Sequence, residues 1–231
     1  MPLALLARRR IDVQLVIFDC DGVLVDSEAI ASRVVAEALT AEGWVMSTEQ
    51  AQTLFLGMSL PDMLPLISRH MRRPLPASWP VELAGRLTET LAREAIAIPG
   101  AIDALHAVSA MGLPWRVASN SSHAEMRTKF AALGISTLVD GRLHSFEDVA
   151  RGKPAPDLFL ATAKAQGVTP DACVVIEDSA RGARAAAAAG MDCLGYAAHT
   201  SHAELIAEGA APFRSMFDLP ELLLSARRAS A

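Results

Sequence analysis

The stretch Asp19-Cys20-Asp21-Gly22-Val23-Leu24-Val25-Asp26-Ser27 follows a short apolar run and holds the densest chemistry in the chain. Two carboxylates two positions apart, Asp19 and Asp21, can converge on one point as they leave a buried strand, and Gly22 lets the chain turn away sharply. A lone Asp-Gly pair is usually only a turn, whereas a further Asp and Ser at these offsets point to chemistry. Ser119-Asn120-Ser121-Ser122 puts hydroxyls and backbone N–H groups ahead of a helical pattern. That suits an anion such as phosphate, although Ser121 or Ser122 would also serve as a plain helix N-cap. Lys153 stands between Gly152 and Pro154 in a loop, where a lysine by itself is more often a solvated charge. Glu177-Asp178-Ser179 closes another apolar run. Adjacent carboxylates there are costly unless paired or bound to a cation, and Asp178 or Ser179 can cap the next helix at the same time. Together these residues make an oxygen-rich set of the kind that suits Mg²⁺. Phosphate fits among the carboxylates only when a divalent ion and a cation offset their charge.

Such residues converge only if strands deliver them. Apolar, β-branched runs at 13–18, 114–119 and 172–176, with a weaker one at 193–196, read as buried strands. Helical patterns at 101–111, 125–133, 158–166 and 180–189 alternate with them, each ending near a glycine. That rhythm predicts an α/β fold, a Rossmann-like doubly wound parallel sheet whose ligands sit beyond the carboxyl ends of the strands. One interval breaks it. Helical patterns at 28–41, 48–56, 60–71 and 81–95 follow one another with no convincing strand between, and the proline-rich 72–80 reads as a loop. The expected organisation is a core of 11–26 and 96–231, a helical cap subdomain of 27–95 inserted after the first strand, and a loose N-terminal leader of 1–10.

Composition excludes several classes. With 231 residues, 52% of them hydrophobic, and a net charge of −5, the chain has ample core and no basic balance. Nucleic-acid and anionic-membrane partners are therefore not expected. No window reaches the length of a membrane span, and three cysteines without a C-x-x-C pair suggest a reducing, cytoplasmic setting. A monomer is the default expectation.

In order and spacing, the DxDGVLVDSE, SNSS, GKPAPD and EDS clusters resemble the four motifs of the haloacid dehalogenase-like (HAD) hydrolase superfamily. The helical insertion resembles the α-helical cap of its β-phosphoglucomutase-like, phosphoglycolate phosphatase-like branch. The resemblance runs from about residue 12 to residue 220. It implies that Asp19 is a nucleophile forming an aspartyl-phosphate, and that Asp21 is the general acid and then the base, with a raised pKa. Ser119 and the Asn120 amide would hold phosphate oxygens, and Lys153 would pair with both phosphate and Asp19. Mg²⁺ would be bound by Asp19, the Asp21 carbonyl and Asp178, with Glu177 either a direct ligand or one step removed. The founding dehalogenases lack an aspartate at the Asp21 position, so C–halogen cleavage is not expected.

The implied activity is a Mg²⁺-dependent phosphatase acting on a small phosphorylated metabolite, a sugar phosphate. The alternatives are a phosphosugar mutase and a noncatalytic binding protein. The mutase cap motif Gly-Val-Ser-Arg-Glu-Asp reads Gly57-Met58-Ser59-Leu60-Pro61-Asp62 here, and the mutase histidine is replaced by Ala31. A second phosphate thus lacks its charge-assisted anchor. Glu28, Gly57 and Ser59, with the apolar pair Met58 and Leu60, are the cap residues expected to face substrate.

Overall fold

The computed structural model describes residues 12–228; the 1–10 leader lies outside them. Six parallel strands form the central sheet: β1 (Leu15–Phe18), β4 (Trp115–Ser119), β5 (Leu143–Ser145), β6 (Cys173–Glu177), β7 (Asp192–Tyr196) and β8 (Ala211–Phe213). Their order is β5-β4-β1-β6-β7-β8. A two-stranded antiparallel ribbon joins β2 (Val25–Asp26) to β3 (Ile96–Ala97), pairing Val25 with Ala97 and Asp26 with Ile96. Between its strands lie four helices: α1 (Glu28–Ala41), α2 (Thr48–Phe55), α3 (Leu60–Met71) and α4 (Trp79–Glu94).

Every residue of β1 is buried, because the sheet is covered on both faces. Val16 and Phe18 belong to one apolar cluster, which takes in α5 (Ala101–Ala110), α6 (His123–Ala132) and α11 (Leu219–Arg228). Leu15 and Ile17 belong to the other, with α8 (Asp157–Gln166), α9 (Ala180–Ala188) and α10 (His202–Ala207). A short helix, α7 (Ser136–Val139), precedes β5. The period-2 alternation of a strand thus feeds both layers at once.

Two expectations are corrected. Helix α4 begins at Trp79, so the loop expected over 72–80 ends earlier; Pro80 sits in the first helical turn, where its missing N–H has no helical partner to lose. Strands β5 and β8 were not expected. They are the two edges of the sheet, where short segments with His144 or Pro212 suffice because one side of the ladder needs no partner. The weak run at 193–196 is a full member, β7, paired on both sides.

Candidate active site

Strand order explains how residues far apart in sequence meet. β1 is flanked by β4 and β6, and Phe18 is in register with Val117 and Ile176. Asp19 and Glu177 therefore emerge side by side at the carboxyl edge, with Ser119 one residue further along β4, at the place where open α/β sheets bind ligands. The tight loop after β1 is closed by Gly22 N–H donating to the Val25 carbonyl at 2.8 Å. Gly22 has φ +73°, and a Cβ there would lie 2.0 Å from Asp178 Oδ2, so only glycine brings this loop against the β6 end.

Lys153 Nζ lies 2.8 Å from Asp19 Oδ1 and 2.5 Å from Glu177 Oε1, with all three groups nearly inaccessible. The loop that carries it is held by Asn120, whose side chain accepts from Lys153 N–H at 2.9 Å and donates to the Lys153 carbonyl at 3.0 Å. The same amide nitrogen donates to the Gly57 carbonyl at 2.9 Å. The Asn120 side chain is thus committed to tethering the lysine loop and the 57–59 segment, leaving its backbone for an anion. Arg181 Nη2 also donates to the Lys153 carbonyl, at 2.8 Å, and lies 3.7 Å from Asp62.

Asp21 sits in a different setting from the one expected. Its Oδ1 accepts from Ser27 Oγ and, at 2.5 Å, from Lys129 Nζ. Its Oδ2 accepts from Ser121 Oγ at 2.7 Å and Ser119 Oγ at 3.2 Å. Burial by itself would raise its pKa, but the Lys129 charge and these hydrogen bonds outweigh it and hold Asp21 at about 2. The raised value expected from carboxylate crowding is corrected, because the crowding falls elsewhere. Burial and the neighbouring Glu177 push Asp19 up to about 7 against the pull of Lys153. Burial and Glu177 likewise hold Asp178 well above the usual carboxylate range. Burial, Asp21 and Asp19 push Glu28 up to about 8.

Lys129, which the sequence reading missed, is 2% exposed. Burial disfavours its charge, yet the Asp21 carboxylate keeps it protonated with a raised pKa. One signal could have exposed it: Met126, Lys129 and Phe130 are the buried residues of α6, so the lysine occupies a place in an apolar stripe. Ser121 turns to Asp21 and Lys129, while Ser122 is the N-cap of α6, in a capping box with Glu125. Ser179, one of the two residues expected to cap the next helix, caps α9 and also donates to Glu177 Oε2 at 2.9 Å.

The carboxylates fit a cation. Oxygens of Asp19, Glu177 and Asp178 lie within 4.8 Å of one another, the one such group among the described residues. Asp178 Oδ2 is buried without a hydrogen-bond partner. An all-oxygen set with an orphaned carboxylate oxygen suits a hard divalent ion. Glu177 is less free: Oε1 is taken by Lys153 and Oε2 by Ser179 N–H, Ser179 Oγ and Asp178 N–H.

The site opens into a cavity of about 120 Å³ roofed by residues from α1 to α4. Glu28, in the first turn of α1, lines it, as does Gly57. Ala31 and Leu60, the two positions lacking the mutase groups, also line it. Ser59 does not; it bonds Asp62 at 2.9 Å and lines a separate groove beside Arg181.

A doubly wound sheet with two aspartates after its first central strand, a lysine loop and a carboxylate pair on the next strand defines a hydrolase class. The haloacid dehalogenase-like hydrolase family model matches residues 13–190, and the chain belongs to that family. It is 29% identical over 91% of its length to 6-phosphogluconate phosphatase of Escherichia coli (strain K12), covering 94% of that protein. It is 31% identical over 75% of its length to Hexitol phosphatase A of the same organism, covering 78% of it. A solved HAD family hydrolase from Deinococcus radiodurans R1, with bound phosphate and sodium, is 31% identical with a TM-score of 0.74; the match covers 93% of this chain and 96% of that one. The expected fold and a hydrolase with phosphatase relatives are thus borne out. No helix among the described residues is long and apolar enough to cross a membrane.

Proposed function

We propose that this chain is a Mg²⁺-dependent phosphomonoesterase that hydrolyses a small phosphorylated metabolite, a sugar phosphate, through an aspartyl-phosphate on Asp19. The observation that carries the reading is Lys153 Nζ seated between Asp19 and Glu177, beside the orphaned Asp178 oxygen. That is a nucleophile with its charge balanced by one fixed cation and with room for another.

Asp19 attacks phosphorus and the bond to the leaving alcohol breaks, with Asp21, a carboxylate in the resting enzyme, first taking up a proton and then passing it to the alcohol. Asp21 then takes a proton from the water that attacks the same phosphorus, freeing phosphate and Asp19. Ser119 Oγ, the Asn120 backbone N–H and Lys153 hold phosphate oxygens. Asp19, Asp178 and the Asp21 carbonyl would hold Mg²⁺, which when bound would supply positive charge against the phosphate. Glu177, with both oxygens occupied, orients Lys153 and the 178–179 turn rather than binding the ion directly.

The relatives' activities on a phosphogluconate and hexitol phosphates support a polyhydroxylated leaving group, for which Glu28 is the cap carboxylate that accepts hydroxyl hydrogens. Residues 27–95 act as the cap, with the β2–β3 ribbon as its two connections. Among the described residues lining the cavity, the cap contributes no cation. That absence at Ala31 and Leu60 supports water, rather than a second phosphosugar, as the acceptor. The cytoplasmic, monomeric reading belongs to the same proposal; the three cysteines are free and buried.

The test is phosphate release from hexose, pentose and hexitol phosphates, phosphogluconate and phosphoglycolate, each with Mg²⁺ and with chelator. Mg²⁺-dependent release is expected. Isomerisation of glucose 1-phosphate without free phosphate would replace this reading with the mutase.

Thermal unfolding checks the metal assignment independently. An acid whose folded pKa is raised binds more protons folded than unfolded, so the metal-free protein loses stability as pH climbs from about 4 through 8. Asp19, Asp178 and Glu28 all act in that direction. Asp21 acts oppositely, and the stability it contributes is lost only as pH falls towards about 2. A divalent ion competes with those protons, so Mg²⁺ is expected to raise Tm more near pH 8 than near pH 5. Equal increments at both pH values would show that the ion binds elsewhere.

A further inference from the structure

The geometry points to Lys129 as a positioning residue that holds the Asp21 carboxylate in place for hydrolysis of the aspartyl-phosphate. The inference deepens the proposed function and rests on it. Lys129 comes from α6, outside every motif read from the sequence, yet its Nζ meets Asp21 Oδ1 at 2.5 Å and Ser121 Oγ at 2.7 Å. Ser121 in turn donates to Asp21 Oδ2 at 2.7 Å. One ammonium and one hydroxyl thus grip both carboxylate oxygens, fixing the rotation of the group as well as its distance.

The other charges nearby do not replace it. Glu125 lines the same cavity but is engaged in the α6 capping box. Lys153 is spent on Asp19 and Glu177. Lys129 is therefore the cation that faces Asp21, at 2% exposure. A buried lysine in an apolar stripe is expensive to keep unless its charge is used.

An ammonium holds a carboxylate, not a carboxylic acid. Its grip is effective in the second step, where Asp21 enters as carboxylate, takes a proton from water, and leaves the water oxygen to bond phosphorus as the P–O bond to Asp19 breaks. In the first step Asp21 has to take up a proton before it gives one to the alcohol, and Lys129, which holds the carboxylate, does not assist that uptake. Lys129 thus acts on the turnover of the phosphorylated enzyme more than on its formation.

Lys129→Met keeps an unbranched side chain and removes the charge. On the best substrate of the phosphate-release panel, kcat is expected to fall by about tenfold or more, up to the roughly hundredfold or greater contribution of the general base that Lys129 positions. The ratio kcat/KM, which ends at release of the alcohol, is expected to stay within about threefold. Acid-quenched enzyme should then retain phosphate on protein, where wild type retains little. A purely structural role would lower kcat and kcat/KM together and leave no trapped phosphate; that result, or no change in either constant, overturns the assignment. If Lys129→Met does not fold, Ser121→Ala decides the question by the same split. Failure of the parent reading looks different, since an Asp19→Asn variant that still released phosphate would remove the aspartyl-phosphate itself.

Discussion

Asp19→Asn is expected to release no measurable phosphate while remaining folded. The amide is nearly isosteric with the carboxylate, but its oxygen carries no formal charge and cannot form the acyl-phosphate that divides the reaction into two easier steps. Residual activity below about one per cent of wild type, a loss of at least ~2.7 kcal/mol in transition-state stabilisation, is the threshold; activity above it excludes Asp19 as nucleophile. Two effects offset each other in stability. The variant loses the 2.8 Å charged contact with Lys153, yet it also removes a carboxylate that burial and Glu177 push up to about 7. Lys153 keeps its 2.5 Å partner Glu177, so no buried cation is left alone. Circular dichroism and a melting curve close to wild type separate loss of chemistry from loss of fold.

Gly22→Ala is expected to cost almost as much activity without touching a reacting group. A Cβ at this position would fall 2.0 Å from Asp178 Oδ2 and 2.6 Å from its Cγ. Either the Asp178 side chain rotates away, taking an oxygen out of the three-carboxylate cluster, or the β1 loop moves and carries Asp21 with it. The left-handed backbone at φ +73° adds about 1–2 kcal/mol of strain for any residue with a Cβ. Phosphate release should fall by about a hundredfold at fixed Mg²⁺, a change of the size that removing one electrostatic stabiliser produces. Part of that loss should return at high Mg²⁺. A saturation midpoint for Mg²⁺ equal to that of wild type would show that Asp178 does not hold the ion.

The central strands, the helices between them and the four motif clusters were legible in the sequence. Each is a local pattern: LVIF at β1 is apolar throughout because both faces of a parallel sheet are covered, and the bounds of α1 and α3 match their amphipathic stretches. The edge strands β5 and β8 were not legible. An edge needs a partner on one side only, so Leu-His-Ser and Ala-Pro-Phe carry no strand signal of their own.

By itself, the sequence determined which residue types stand at the strand ends and in what order, and so the hydrolase class; motif spacing is a property of the chain. Only the tertiary structure decided what each of those residues touches. Asp21 was expected to be raised by crowded carboxylates, but the β4–β1–β6 arrangement puts that crowding on Asp19, Asp178 and Glu28. The same arrangement turns Asp21 towards Lys129, 108 residues away. Ser59, four residues from Phe55 on the cavity wall, faces a different groove. Charge interactions fall off with distance in space and depend on burial, and neither quantity is written in a linear order of residues.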